Sequence, residues 1–187
     1  VFMVNDLSHK VHLVGSIPME SADEVFDLVG STLDNCCQRI PDGETGIRKN
    51  WIGWQYSVFR TQNALIQTEA KEREYQLHPP FTFKKNCGRE DLDFSDLGFA
   101  REAQVSFSKF KAKQKRGIIS DQAKFMVALP TPFAPVYSFT SYSDQEAILP
   151  FYEEAILGEI DEISNLIPHK KLVVQWDVAT EMSILES

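Results

Sequence analysis

Four short apolar runs, each ended by glycine, proline or a carboxylate, constrain this chain more than any other feature. They are His12-Leu13-Val14 before Gly15-Ser16-Ile17-Pro18, Cys36 to Ile40 before Asp42-Gly43-Glu44, Phe125 to Leu129 before Pro130, and Lys171 to Trp176 before Asp177. The Leu-Val, Met-Val-Ala-Leu and Leu-Val-Val cores of the first, third and fourth are apolar on both faces, which describes strands covered on both sides, as in parallel sheets with helices over them. Glycine and proline at the ends force the chain to turn, and place polar side chains at the carboxyl edge, where such folds bind ligands.

The intervening segments supply the helices. Ser21 and Glu24 stand at capping-box spacing, and the helix they open carries Val25, Phe26, Leu28, Val29 and Leu33 on one side. With the runs on either side it forms a strand–helix–strand unit. From Trp51 to Gly117 the pattern loosens: Trp51, Trp54, Phe59, Leu65 and Ile66 suggest helical stretches, and His78-Pro79-Pro80-Phe81 interrupts them. Residues 51–117 are expected to form an insertion within one domain spanning 1–187. From about Glu102 a helix carries Ala103, Phe107 and Phe110, and Lys109, Lys111, Lys113, Lys115 and Arg116 close it before Gly117. Pro130, Pro132 and Pro135 predict a stiff loop. Ser143 and Glu146 suggest a second capping box, with Pro150 in the first turn and Ile148, Tyr152, Ile156, Ile160 and Ile163 buried.

Composition narrows the functions. A net charge of −8, with 25% charged and 43% hydrophobic residues, argues against nucleic acid or an anionic membrane as partner. No apolar run approaches the roughly 20 residues that cross a bilayer, and residues 1–10 lack the order of a signal peptide. Cys36, Cys37 and Cys87 form neither a disulfide framework nor a metal spacing, which fits a reducing, cytoplasmic setting. The histidines, His9, His12, His78 and His169, are dispersed, so no metal site is expected within this chain.

The stretch Arg39-Ile40-Pro41-Asp42-Gly43-Glu44-Thr45-Gly46-Ile47-Arg48 is the leading candidate for chemistry. Two carboxylates beside a glycine, with a guanidinium following, make a polar loop tip at a strand end. Asp177 repeats the arrangement after Trp176. Blander roles exist for each: Glu44 and Arg48, four apart, suit a helix-start ion pair, Asp177 suits a helix cap, and Trp51, Trp54 and Trp176 suit a core.

In this order the stations resemble the cobalamin-independent methionine synthase and uroporphyrinogen decarboxylase-like superfamily, in particular a fungal and bacterial branch of it. Val14-Gly15-Ser16-Ile17-Pro18 is similar to the Gly-Ser-Phe-Pro motif after the family's first strand. Asp42-Gly43-Glu44 with Arg48 looks like its Gly-Glu…Arg element, Gln175-Trp176-Asp177 looks like its Gln-x-Asp-Glu-Pro motif, and Leu129-Pro130-Thr131-Pro132 is a looser match to a Gly-Pro-x-Thr loop. Val178-Ala179 stands where the family has Glu-Pro.

The resemblance implies an α/β fold, a parallel (β/α) barrel of TIM type, of which this chain is the first half, with about four strands and a long helical insertion after the second. It implies that Gly15 and Ser16 hold a substrate carboxylate, that Glu44 and Asp177 grip its ammonium group beside Trp176, and that Asp42, Glu44, Arg48 and Asp177 serve catalysis. The family's zinc ligands, a His-x-Cys pair, a Glu and a later Cys, follow the last matched strand and are expected downstream of this chain. The implied activity is methyl transfer, or a metal-free lyase or decarboxylase reaction, on a small amino-acid-like molecule. The alternative is a non-catalytic binding or assembly module on the same scaffold. Four strands would leave apolar faces open, so the expected partner is a second copy or a C-terminal half-barrel.

Overall fold

The computed structural model describes residues 10–33, 36–72, 76 and 78–186; His9 lies outside them. The chain divides into two compact units, each assembled from separate segments: Val1–Lys49, Arg101–Ala128 and Ser164–Gln175 in the first, and Asn50–Ala100, Leu129–Ile163 and Trp176–Ser187 in the second.

The chain is α/β, with a parallel three-strand sheet. Strands β1 (Arg39–Pro41), β4 (Lys124–Pro130) and β5 (Leu172–Asp177) lie in the order β1-β4-β5. Within the first unit β1 pairs in parallel with β4, Ile40 opposite Phe125 and Pro41 opposite Met126. The first expected strand is not a strand. Residues 11–17 run beside 36–43 but join them at one parallel bridge, Ser16 with Gly43, flanked by Ile17 N–H donating to Gly43 O (2.9 Å). Gly15, at φ 140°, breaks the extended run, and Pro18 has no N–H to continue it. The parallel sheet therefore has three strands rather than four.

Helix α1 (Ala22–Thr32) begins as its sequence predicts. Ser21 Oγ accepts from Glu24 N–H, while the Glu24 carboxylate accepts from Glu20 N–H, one residue earlier than a standard capping box would have it. Ala22, Val25, Phe26 and Val29 form its buried face; Leu28 is 38% exposed. Phe26 meets Phe110 and Phe125 edge-on at ring separations of 5.6 and 6.4 Å, and Phe107 completes the cluster. Helix α3 (Phe99–Lys115) supplies Phe107 and Phe110. Its lysines are not a bare basic face. Lys113 Nζ donates to both oxygens of Asp27, and Lys109 and Lys113 flank Asp23. Partial burial raises the Asp23 carboxyl, but the two ammonium groups outweigh this and hold it below the usual range.

The second unit contains an element that the sequence reading treats as helical. Leu65–Gln67 (β2) pairs antiparallel with Phe81–Phe83 (β3), Ile66 opposite Thr82. Segment 51–117 is thus not simply a helical insertion. Its helices are α2 (Tyr56–Thr61) and α3. The expected proline loop is also a helix, α4 (Phe133–Phe139), because its prolines fall where no helical N–H is needed: Pro132 at the N-cap and Pro135 in the first turn.

Helix α5 (Gln145–Leu166) follows a 3-10 turn, Tyr142–Asp144, so Ser143 is no N-cap and Pro150 lies beyond the first turn. Asp144 instead ties down the hairpin, accepting from Thr82 Oγ1 (2.5 Å) and Phe83 N–H (3.1 Å). On the buried face Glu159 stands among Ile148, Tyr152, Ile156 and Ile163, whereas Ile160 is half-buried. The Glu159 carboxylate accepts N–H groups from Leu97 (2.8 Å), Gly98 (2.9 Å) and Ala100. Tyr152 donates to Gln55 Oε1, and Gln55 Nε2 donates to Leu97 O. The terminal helix α6 (Thr180–Leu185) packs on α4. Among the described residues no helix is long and apolar enough to cross a membrane.

Candidate functional site

In the first unit β1 delivers Asp42 directly after Pro41, at its carboxyl end. Asp42 is buried, and its two oxygens are used separately. Oδ1 accepts the Glu44 N–H (3.0 Å), and Oδ2 accepts from Arg48 Nη2 (2.6 Å). The sequence spacing suggests a Glu44–Arg48 pair; the structure pairs Asp42 with Arg48. The Arg48 and Asp42 side chains are 12% and 8% exposed, so this is a nearly desolvated ion pair rather than a surface one. Arg48 Nε is buried without a hydrogen bond, its neighbour being Glu102 Oε2 at 3.6 Å. Glu102, from α3, is a contributor that local spacing could not reveal.

The loop between these residues turns through the left-handed region. Gly43 has φ 81° and Glu44 φ 49°. A side chain at Gly43 would place its Cβ 2.6 Å from Val25 Cγ2, so the position demands glycine on both counts. Glu44 has no such excuse. Its φ is uncommon for a non-glycine residue and is sustained by the Asp42 hydrogen bond. The turn sets the half-buried Glu44 carboxylate beside the segment before α1, where Ser16 Oγ donates to Glu44 Oε2. Gly15 lets the two loops approach: a Cβ there would lie 3.5 Å from the same oxygen and 3.3 Å from Ala128 Cβ.

Five predicted residues, Gly15, Ser16, Asp42, Glu44 and Arg48, thus gather in the first unit. Gln175 belongs to the same unit: its amide donates to Val14 O (2.6 Å) and its oxygen lies 3.0 Å from His12 Nε2. Trp176, exposed, and Asp177, half-buried, end β5 and belong to the second unit. Trp54, also in that unit, packs edge-on against Phe99 at 4.9 Å, a core contact.

The cysteines are free thiols, and burial pushes that of Cys37 up. Among the described residues no three His, Cys, Asp or Glu side chains gather so as to hold a metal ion. No family model, curated protein or solved structure matches the chain.

Proposed function

We propose that the Gly15-Ser16 and Asp42-Gly43-Glu44 loops bind a small zwitterionic, amino-acid-like molecule. We further propose that the chain is the first half of a parallel (β/α) barrel of TIM type, similar to the methionine synthase-like enzymes. The reaction is methyl transfer, or a metal-free lyase or decarboxylase step. The observation that carries this reading is the Ser16–Glu44 hydrogen bond, which joins two loops 28 residues apart around a half-buried carboxylate. Glu44 takes the ligand's ammonium group, and backbone N–H groups at Gly15-Ser16 take its carboxylate. Asp42 and Arg48 are bonded to each other, so they act as positioning residues: Asp42 fixes Glu44 through its backbone N–H.

The sheet edge supports completion by a second copy, or by a separate second half-barrel. β5 is the last strand in the order, and its Leu172, Val173 and Val174 are only half-buried. Full burial of each such side chain is worth about 1.5–3 kcal/mol. Sedimentation of the isolated chain at micromolar concentration should show self-association, and a stable monomer would remove this part of the proposal.

Binding is tested by NMR titration with α-amino acids and the matching acids that lack the amino group. The amino acids should bind and the simple acids should not. Glu44→Gln should weaken binding about 10- to 150-fold, the worth of a charge-assisted hydrogen bond of about 1.5–3 kcal/mol. Equal binding of both series, or an unaffected E44Q variant, would overturn the assignment.

A further inference from the structure

The Gly15-Ser16 loop lies in a segment that is not a strand, so its shape is not set by a continuous ladder. The segment is joined to its neighbour at its ends, Val11 N–H donating to Cys36 O (2.9 Å) and Ile17 N–H donating to Gly43 O (2.9 Å). Between these points the chain passes Gly15 at φ 140°, a conformation that glycine adopts readily and other residues do not. Glycine also has the most backbone freedom to lose, which works against holding its N–H group still.

Gln175 reaches this segment from β5. Its side-chain amide donates to Val14 O at 2.6 Å, and its oxygen lies 3.0 Å from His12 Nε2. The Val14 carbonyl can only accept, so the amide must face it with the NH2 group and turn its oxygen to His12. His12 is then the donor, with a proton on Nε2, and it holds the amide in that orientation. In the sheet β4 separates β5 from β1, yet the β5 side chain meets a segment bonded to the residues on either side of β1. Ala128 of β4 makes this possible: its Cβ is 3.3 Å from where a Cβ on Gly15 would lie, so the loop rests against the strand. Residues 14–16 therefore touch β4, bridge to Gly43 after β1 through Ser16, and are tied to β5 through Val14 O.

We infer that Gln175 is a positioning residue of the proposed site. Through Val14 O it holds the Gly15-Ser16 loop in the shape that presents backbone N–H groups to the ligand's carboxylate, and His12 locks the amide that does so. This role rests on the reading that the loop takes the carboxylate and Glu44 the ammonium group. The two ends of the zwitterion are then braced separately: Asp42 fixes Glu44 through its N–H, and Gln175 fixes the opposite loop. Without the Gln175 tie the loop samples further conformations, and affinity for the carboxylate end falls with the fraction that stays competent.

The test is an NMR titration of the intact chain with an α-amino acid and with its α-amino amide, which keeps the ammonium group and has no carboxylate. Gln175→Met keeps the reach of the side chain and removes both hydrogen bonds. It should weaken the amino acid about 3- to 10-fold, the worth of a net hydrogen bond, and leave the amide within about twofold. Glu44→Gln, by contrast, should weaken both ligands. In the ligand-free Gln175→Met chain the Gly15 and Ser16 amide resonances should shift while those of β1 and β4 stay in place. His12→Gln, which keeps a donor for the Gln175 oxygen, should bind the amino acid as the unaltered chain does, and His12→Phe should not. A Gln175→Met variant that binds normally, or that loses amino acid and amide alike, would overturn the inference and leave the proposed function standing. Failure of the unaltered chain to bind the amino acid would instead remove the proposed function, and this role with it.

Discussion

Asp42→Asn is the substitution that most directly tests how the first unit holds its candidate site. Asparagine is nearly isosteric and keeps an oxygen for the Glu44 N–H, so the loop hydrogen bond at 3.0 Å can survive. What it removes is the charge opposite Arg48, at a site where the two side chains are 8% and 12% exposed. Removing one partner of a buried pair costs about 3–5 kcal/mol, because the other is left charged and poorly solvated. Two facts reduce the figure here. Glu102 lies 3.6 Å from Arg48 Nε and compensates part of the charge, and the residual exposure lets water in. The expected loss is therefore about 2–4 kcal/mol. Asp42→Ala should cost more, since Glu44 N–H then loses its acceptor and the left-handed turn its support.

The double variant D42N/R48M should be less destabilised than the sum of its parts, with a coupling of about 1–3 kcal/mol for residues sharing one network. The probe must be chosen with care. All three tryptophans and all five tyrosines fall in the second unit, so aromatic fluorescence is no direct reporter of the first. Urea unfolding followed by far-ultraviolet circular dichroism, with hydrogen exchange of the β1 and β4 amides, reads the right unit. A D42N loss below about 0.5 kcal/mol, the scale of ordinary surface substitutions, together with zero coupling to Arg48, would refute the claim that this pair is desolvated and braces the loop.

Three further outcomes follow from the packing. Glu159→Leu leaves three buried N–H groups without an acceptor and should cost about 3 kcal/mol or more, lowering the melting temperature of the 187-residue chain by about 6–12 °C in a calorimetric scan. Burial, and then the nearby Glu159, push the Tyr152 phenol well above its ordinary value of 10.0; the unfolded chain therefore loses this proton first, and stability present below pH 10 should fall as pH rises beyond it, a slope that Tyr152→Phe should reduce in urea titrations between pH 9 and 11. Gly30→Ala, ordinarily worth up to about 1 kcal/mol of helix propensity, should instead destabilise, because the added Cβ would lie 2.3 Å from the Ile118 carbonyl oxygen; a raised melting temperature would show that α1 can move aside.

Where the sequence was informative, the signal was local. The α1 start is legible because the cap is a contact between Ser21 and Glu24, and its buried face because Val25, Phe26 and Val29 recur at helical spacing. The β4 and β5 runs are legible for the same reason. The proline segment misleads because proline excludes only helix interiors: Pro132 and Pro135 sit where α4 has no N–H to give, and nothing local distinguishes that start from a loop. Leu65 and Ile66 mislead because three-residue strands are too short to establish a period. Glu159 is invisible in a helix rich in acidic residues, since its partners are backbone groups 59 to 62 positions away, and backbone carries no residue signature.

The carboxylate loop shows the same limit at the candidate site. Four-residue spacing favours a Glu44–Arg48 pair only if the chain is helical between them. Gly43 and Gly46, both at positive φ, prevent that, leaving a 3-10 turn over Gly46–Arg48. With helical registration lost, Arg48 swings back to Asp42, six residues before it, and Glu44 is turned toward Ser16. The glycines visible in the sequence thus carried the information that the pairing rule lacked. They mark where the backbone leaves the helix, and so which carboxylate becomes the brace and which is presented at the loop.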